Sequence, residues 1–319
     1  TSTVSGPETL ITEIPAIPGP EDRAYIVIGV IIASINSKYI NFSMIIWIAS
    51  YPKSGNTWVR SLLSAYFFTE DGEFNFNLLE NIKKFPSEDF ISEKLRDPLE
   101  VTKYWRPTQE EILKSKKIKF LKTHNCLMQL NNNKFTTTKH TLGVIYIIRD
   151  PRNVLTSFKN HMDLTYKDAL KIMCKEDTVI FDELTKNYNA SQFVGSWSKN
   201  YKTWLQNNPF KKHLVKYEDL EKNSFNTFKE LIAFINGLIG SKELINEEKL
   251  RNAIKSTNFD SLENKEKKGE FKENVFSRSN KKVKFFYLGS KNKWQNLLPE
   301  EIQKEANDLF ENDLKFFNY

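Results

Sequence analysis

Apolar residues along this chain fall into two alternating patterns. Short runs rich in β-branched and aromatic residues occur at 44–50, 118–122, 143–148 and 214–217, and each reads as a strand buried on both faces. Between and after them, longer stretches with a helical spacing of apolar positions predict helices near 57–68, 151–162, 181–205, 224–236, 247–255 and 299–317. Asp150 and Pro151 suit the cap and first residue of the helix at 151. Strands alternating with helices predict an α/β fold of three layers, a central parallel β-sheet flanked by helices. Two stretches carry no clear periodicity, 71–117 and 264–294. Loops that cover active sites often come from such stretches.

The first 43 residues differ from the rest. Pro7, Pro15, Pro18 and Pro20 interrupt a polar, slightly acidic lead, and a twelve-residue apolar run follows at 24–35. A membrane span needs about 20 apolar residues, so this run is too short, and Glu21 and Asp22 stand where a secretory signal has basic residues. The expectation is an extension outside the core at 1–43 and a single domain at 44–319, with Met44 a natural start. The alternatives are an extra strand or a membrane anchor through 24–35.

Composition narrows the partners. With 47 Lys and Arg against 40 Asp and Glu, the 319-residue chain has a formal charge of +7, compatible with nucleic acid, an anionic membrane surface or a polyanionic small molecule. Its lysine runs at 263–268 and 270–273 are interleaved with glutamates and read as solvated faces, and no nucleic-acid-binding signature is present. Cys126 and Cys174 are too few for a disulfide scaffold, and with His124, His140, His161 and His213 scattered they draw no metal site. Thiols in a reducing compartment, no metal and a cytoplasmic location are therefore expected.

Three segments carry chemistry. In the first, a strand at 45–50 runs through Tyr51-Pro52-Lys53-Ser54-Gly55-Asn56-Thr57-Trp58 into a helix. The first NH groups of a helix lack carbonyl partners and face the positive end of its dipole, so a phosphate or sulfate oxygen fits there with Lys53 as counter-ion. Gly55 lets the backbone approach. A nucleoside-triphosphate loop needs Gly, four residues and then Gly-Lys-Ser/Thr, whereas here Lys53 precedes the glycine, which disfavours a Walker-type ATPase. The second segment, Val144 to Ser157, repeats the strand, polar turn and helix, with Arg149 at the strand's carboxyl end and Ser157 two helical turns on. In the third, Lys122-Thr123-His124 ends a strand and supplies an imidazole suited to proton abstraction.

Together these motifs resemble those of the soluble, histidine-base sulfotransferases that use 3′-phosphoadenosine 5′-phosphosulfate (PAPS), over roughly residue 44 to the end. The 51–58 loop is similar to that family's 5′-phosphosulfate loop, with Asn56 where Thr is usual, so Lys53, Ser54, Gly55, Asn56 and Thr57 are implied cofactor contacts. The Arg149 to Ser157 interval matches the family's grip on the 3′-phosphate. By the same resemblance His124 is the catalytic base, Lys53 meets charge developing on the leaving phosphate oxygen, and Lys122 meets the sulfuryl oxygens. Trp58 and Phe259 would sandwich adenine, with Thr257 and Tyr217 touching the base. Gly195-Ser196-Trp197 resembles a helix motif of the family, and Trp197 reads as core. One departure stands out: the family's Arg-Lys-Gly is Tyr287-Leu288-Gly289 here, which keeps Gly289 and Trp294 but loses both cations. Arg278, Lys282, Lys291 or Lys293 could replace them.

The resemblance implies in-line transfer of a sulfuryl group from PAPS to a hydroxyl or amine of a small-molecule or glycan acceptor, without metal, nucleic acid or membrane. Two other readings compete. A P-loop kinase would need a triphosphate loop and carboxylates for magnesium, and neither is found. A non-catalytic PAPS-binding protein would have the cofactor site without a working base.

Overall fold

The computed structural model describes residues 43–182, 185–271, 273, 275–276 and 282–319. The proline-rich lead, the apolar run at 24–35 and Arg278 lie outside the described residues.

Four parallel strands form the central sheet: β1 (Ile45–Ser50), β2 (Lys119–Thr123), β3 (Thr141–Ile148) and, after a hairpin of β4 (Val179–Asp182) and β5 (Asn187–Phe193), β6 (Lys212–Lys216). Their order across the sheet is β2-β1-β3-β6. Each strand alternates its side chains between two apolar layers. Trp47, Ala49, Val144, Tyr146 and Ile148 enter one core, while Ile46, Ile48, Ile145, Ile147 and Val215 enter the other. Helices cover both faces. Leu62 and Leu63 of α1 (Asn56–Phe68) pack in the second core, Leu155 and Phe158 of α2 (Pro151–Met162) and Trp197 and Trp204 of α3 (Trp197–Leu205) in the first, and Phe228 and Ile232 of α4 (Ser224–Ile239) in the second. The three-layer α/β fold read from the sequence is therefore correct, and Trp197 is core.

Register sets the position of the chemistry. Ala49 lies beside Thr123 of β2 and Tyr146 of β3, and Ile148 lies beside Lys216 of β6. The next residues along each strand, around Tyr51, His124, Arg149 and Tyr217, therefore emerge at one edge, the carboxyl edge where open α/β sheets bind ligands.

Three element assignments need correction. The helix expected at 181–205 is the β4–β5 hairpin followed by α3, which starts only at Trp197. Gly195 turns the chain at φ 61° and Ser196 caps the helix by accepting from the Lys199 NH at 3.1 Å. The polar residues of β5 hold neighbouring loops: the Asn189 side chain donates to the carbonyls of Ile91 and Glu93, both at 2.8 Å. Tyr217 is not the end of a strand but the first residue of a short helix, Tyr217–Lys222. The helix expected at 299–317 breaks at Phe310 into Glu300–Leu309 and Glu311–Phe317. Both irregular stretches also contain helix, at Trp105–Leu113 and in Phe259–Lys267.

Candidate active site

A cavity of about 860 Å³ opens at the carboxyl edge of the sheet. Lys53, Gly55, Asn56, Thr57, Trp58, Lys122, His124, Arg149, Ser157, Tyr217, Phe259 and Gly289 all line it. Ser54 and Thr257 do not, although Ser54 belongs to the loop that does.

The loop after β1 is held in a conformation few residues adopt. Gly55 caps α1 at φ 101°, and a Cβ there would stand 2.5 Å from Cδ2 of Tyr217, so only glycine fits. Lys53 also takes a left-handed φ of 66°, which costs a non-glycine residue about 1 to 3 kcal/mol and aims its side chain into the cavity wall. Its ammonium lies 3.9 Å over the Phe285 ring. That ring is fixed by Glu266, whose carboxylate accepts from the backbone NH groups of Phe285 and Phe286 at 2.7 and 3.0 Å. Asn56 turns its amide back to the strand, donating to the Ile48 carbonyl at 3.2 Å and the Ser50 hydroxyl at 3.1 Å. This gives the departure from Thr a structural use: the helix start is tied to the strand end.

His124 is built as a neutral base. Its Nδ1 is 2.8 Å from the Ser50 carbonyl oxygen, which only accepts, so Nδ1 carries the proton and Nε2 keeps its lone pair. Burial, then Lys122, holds its pKa well below the usual imidazole value, with Lys84 and Arg60 adding to this and the Ser50 carbonyl opposing it. Two residues that the motifs do not reveal fix its backbone: Gln192 on β5 accepts from the His124 NH at 2.8 Å, and Asn200 on α3 donates to its carbonyl at 2.9 Å. Gln192 also accepts from Thr123 Oγ1 and Asn125 Nδ2. Only the hairpin's fold-back brings it there, and no spacing along the sequence signals it.

Cations crowd the same wall. Burial, Lys122 and Arg149 bring the Lys53 ammonium down to about 7, with Glu266 opposing. Burial also lowers Lys122 to about 8, where Glu273 opposes and Arg60 and Lys84 contribute. Arg149 is buried, its guanidinium 3.9 Å over the Tyr217 ring. Asp150 is occupied elsewhere: it accepts from the Arg152 NH at 2.9 Å and pairs with the Arg152 guanidinium at 2.7 Å, while Arg152 stacks 4.1 Å over Trp294. Of the two arginines around Asp150, Arg149 therefore serves the cavity and Arg152 the scaffold.

At the far end, Trp58 meets Tyr217 edge-on at 5.5 Å, and Phe259 packs against Gly289, where a Cβ would lie 2.7 Å from the ring. Thr257 does not reach the cavity: it is fully buried and its hydroxyl donates to the Ala253 carbonyl at 2.7 Å, the ordinary bond of a threonine near a helix end. Asn258 and Ser290, which the motifs did not single out, line the wall. The Tyr287-Leu288-Gly289 segment is anchored to α2 through Asn292, which bonds Thr156 and donates to the Asn153 carbonyl at 3.0 Å. Lys291 and Lys293 are not among the residues that line the cavity, and Lys293 lies 3.7 Å from Glu221, which does line it. The side chain of Lys282 lies outside the described ones.

Buried polar atoms on this wall and loop lack partners among the described residues: Tyr51 Oη, Ser54 Oγ, Asn56 Oδ1, Trp58 Nε1, Ser87 Oγ and Arg149 Nε. All but Asn56 Oδ1 are able to donate. Unsatisfied donors beside lysines fit an anion with several oxygens, as a nucleotide bearing phosphate and sulfate groups has.

Comparisons with known proteins bear on the family and the fold. The family model described as "Sulfotransferase domain" matches residues 44–318. Similar curated proteins include cytosolic sulfotransferase 12 of Arabidopsis thaliana, 23% identical over 83% of this chain and 75% of the relative, and the amine sulfotransferase of Oryctolagus cuniculus, 21% identical over 85% and 81%. Among solved structures, mouse sulfotransferase SULT7A1 complexed with PAP superposes with a TM-score of 0.50 at 17% identity, covering 89% of this chain and 88% of the other. Retinol dehydratase in complex with androsterone and inactive cofactor PAP gives 0.52 at 17% identity, covering 92% and 86%.

Proposed function

This chain belongs to the sulfotransferase-domain family, a sulfuryl-transferring family, and from that membership we propose that its donor is PAPS and its acceptor a hydroxyl or amine of a small molecule, with His124 as general base. The single observation that carries the base assignment is the Nδ1 contact to the Ser50 carbonyl, which leaves a neutral Nε2 facing the cavity. PAPS supplies an activated sulfuryl group on a phosphate leaving group. The chain supplies the rest. His124 takes the acceptor proton as sulfur is attacked, because a neutral hydroxyl is a poor nucleophile. Lys53 and Lys122 stabilise charge that develops at the phosphate and sulfuryl oxygens, and their burial strengthens that effect. Arg149 and Ser157, which line the same cavity, would hold the 3′-phosphate, and Trp58 and Phe259 would offer apolar faces to the base.

Support for a small-molecule acceptor comes from the apolar part of the lining: Phe158, Met162, Ile180, Ala190 and Val194 line the same cavity as His124, together with Ser87 and Asn187. Among the described residues no helix is long and apolar enough to cross a membrane, and no group of three or more His, Cys, Asp or Glu is set to hold a metal. The residues 1–43 are proposed to lie outside the catalytic domain.

Calorimetric titration separates sulfuryl from phosphoryl chemistry. Adenosine 3′,5′-bisphosphate should bind without magnesium, and ATP, which lacks the 3′-phosphate, should bind more weakly. Stronger, magnesium-dependent ATP binding would favour a kinase and count against the donor proposed here.

A further inference from the structure

One carboxylate, its side chain 37% exposed, stands between two cations of the anion-binding wall. Glu273 accepts from Arg60 Nη1 at 2.7 Å, and its other oxygen lies 3.8 Å from Lys122 Nζ. Arg60 sits on α1 one turn past the phosphosulfate-type loop, and its side chain is only 2% exposed. Its Nε and Nη2 donate to the Ile82 carbonyl at 3.1 and 2.9 Å, so the guanidinium is satisfied only while Glu273 supplies the counter-charge. A buried guanidinium stripped of its carboxylate is strongly unfavourable. Glu273 is therefore not a temporary occupant that an incoming anion expels.

We propose that Glu273 is a positioning residue for the transfer: clamped by Arg60, it holds the Lys122 ammonium at the end of β2 and keeps it charged where it faces the transferred group. This rests on the sulfuryl-transfer reading of Lys122. The physical need is visible in the crowding. Lys122 is faced by Arg60 from α1, Lys84 from the segment that pairs with β2, Lys53 from the loop, His161 from α2, and His124 two residues on along its own chain, and the charge that opposes them at Lys122 is Glu273, while Glu266 opposes them at Lys53. Lys84 is brought there by backbone bonds from the Phe85 NH to the Lys122 carbonyl at 2.7 Å and from the Lys122 NH to the Lys83 carbonyl at 2.9 Å. Burial alone would raise the Glu273 carboxyl, yet Arg60, Lys122 and Lys84 hold it at about 2, so it is ionised throughout the working range. Without it, Lys122 would shed its proton at lower pH and present a neutral amine to the sulfuryl oxygens.

The test is competitive acetylation of the full chain, read by mass spectrometry on the Lys122 peptide across pH, because only the neutral amine reacts. Glu273→Gln should shift the Lys122 midpoint down from about 8 by at least about one pH unit, a roughly fivefold or larger rise in the neutral, reactive fraction at pH 7, and Glu273→Asp should restore part of it. The alkaline limb of kcat/KM for PAPS, which reports the free enzyme, should move down in step, so that activity lost near neutrality partly returns at lower pH. Where Glu273→Gln alone fails to fold, the same change in an Arg60→Met background leaves no unpaired guanidinium and should again raise Lys122 reactivity relative to Arg60→Met. Equal Lys122 reactivity with activity intact would overturn this role alone. A wild-type chain inactive on PAPS over a broad acceptor panel would overturn the sulfuryl reading and this role with it.

Discussion

Lysines in an anion site face a conflict between burial and charge. Burial favours the neutral amine, and so do Lys122 and Arg149 beside Lys53, which brings Lys53 to about 7 and Lys122 to about 8 in the free protein. An arriving polyanion has the opposite effect and raises both. At about pH 8, where phosphate groups are already dianionic, binding of adenosine 3′,5′-bisphosphate should therefore take up protons from solution. Calorimetry in two buffers of different ionisation enthalpy measures this directly. Proton release on binding would contradict the assignment of Lys53 and Lys122 to the anion. His124 is shifted in the same sense, down by burial and by Lys122: its depressed pKa keeps Nε2 free of a proton through neutrality in the free protein, so the acid limb of kcat/KM should lie below the usual imidazole range.

At the scale of elements, the site is two copies of one device, a strand ending in a turn that starts a helix, and their side-by-side pairing in the sheet makes one cavity. Arg149 supplies the guanidinium of the second copy, since Arg152 is committed to Asp150. One charge-assisted contact contributes about 1.5 to 3 kcal/mol, so Arg149→Ala should weaken bisphosphate binding by roughly tenfold or more, measured by titration. Tyr287→Arg should strengthen it, because Tyr287 is half exposed, lines the cavity and stands where the family has a cation. Unchanged affinity in Arg149→Ala would place the 3′-phosphate elsewhere. These strand-turn-helix units were legible in the sequence because glycine, cations and strand residues are adjacent along the chain. The β4–β5 hairpin was not. Its Asn187–Phe193 strand buries Asn189, Ser191 and Gln192, of which Asn189 bonds the 91–93 loop and Gln192 the His124 backbone, so its polar positions imitate the exposed face of a helix. Thr257 was misplaced for a related reason. Its neighbours Asn258 and Phe259 do reach the cavity, and nothing in the local sequence says which of three consecutive residues points inward.

Over the whole molecule, two apolar cores on opposite faces of one parallel sheet keep the strand ends in register, so site geometry depends on packing far from it. Trp47, in the middle of β1, is fully buried against Phe85, Phe135 and Trp204, with its NH donating to Thr141 at 3.0 Å. Among the described residues both cores close with side chains from Ile45 onward, and the family match starts at residue 44. A chain starting at Met44 should accordingly fold and bind the bisphosphate with near full-length affinity, losing among the described contacts the Ser43 bonds to the Leu113 and Lys117 carbonyls. Circular dichroism with the same titration checks it, and a truncated chain that fails to fold would show that the first 43 residues belong to the core.

The central claim is that this cavity moves a sulfuryl group, with His124 taking the acceptor proton. Transfer of radiolabel from [35S]PAPS to a panel of hydroxyl and amine acceptors tests it most directly, run in parallel on the wild type and on His124→Ala. General base catalysis is worth about two to four orders of magnitude, so label should pass to at least one acceptor in the wild type and fall by that factor in the variant while the bisphosphate still binds both. Bisphosphate binding with no label transferred by the wild type, or equal transfer by His124→Ala, would contradict it.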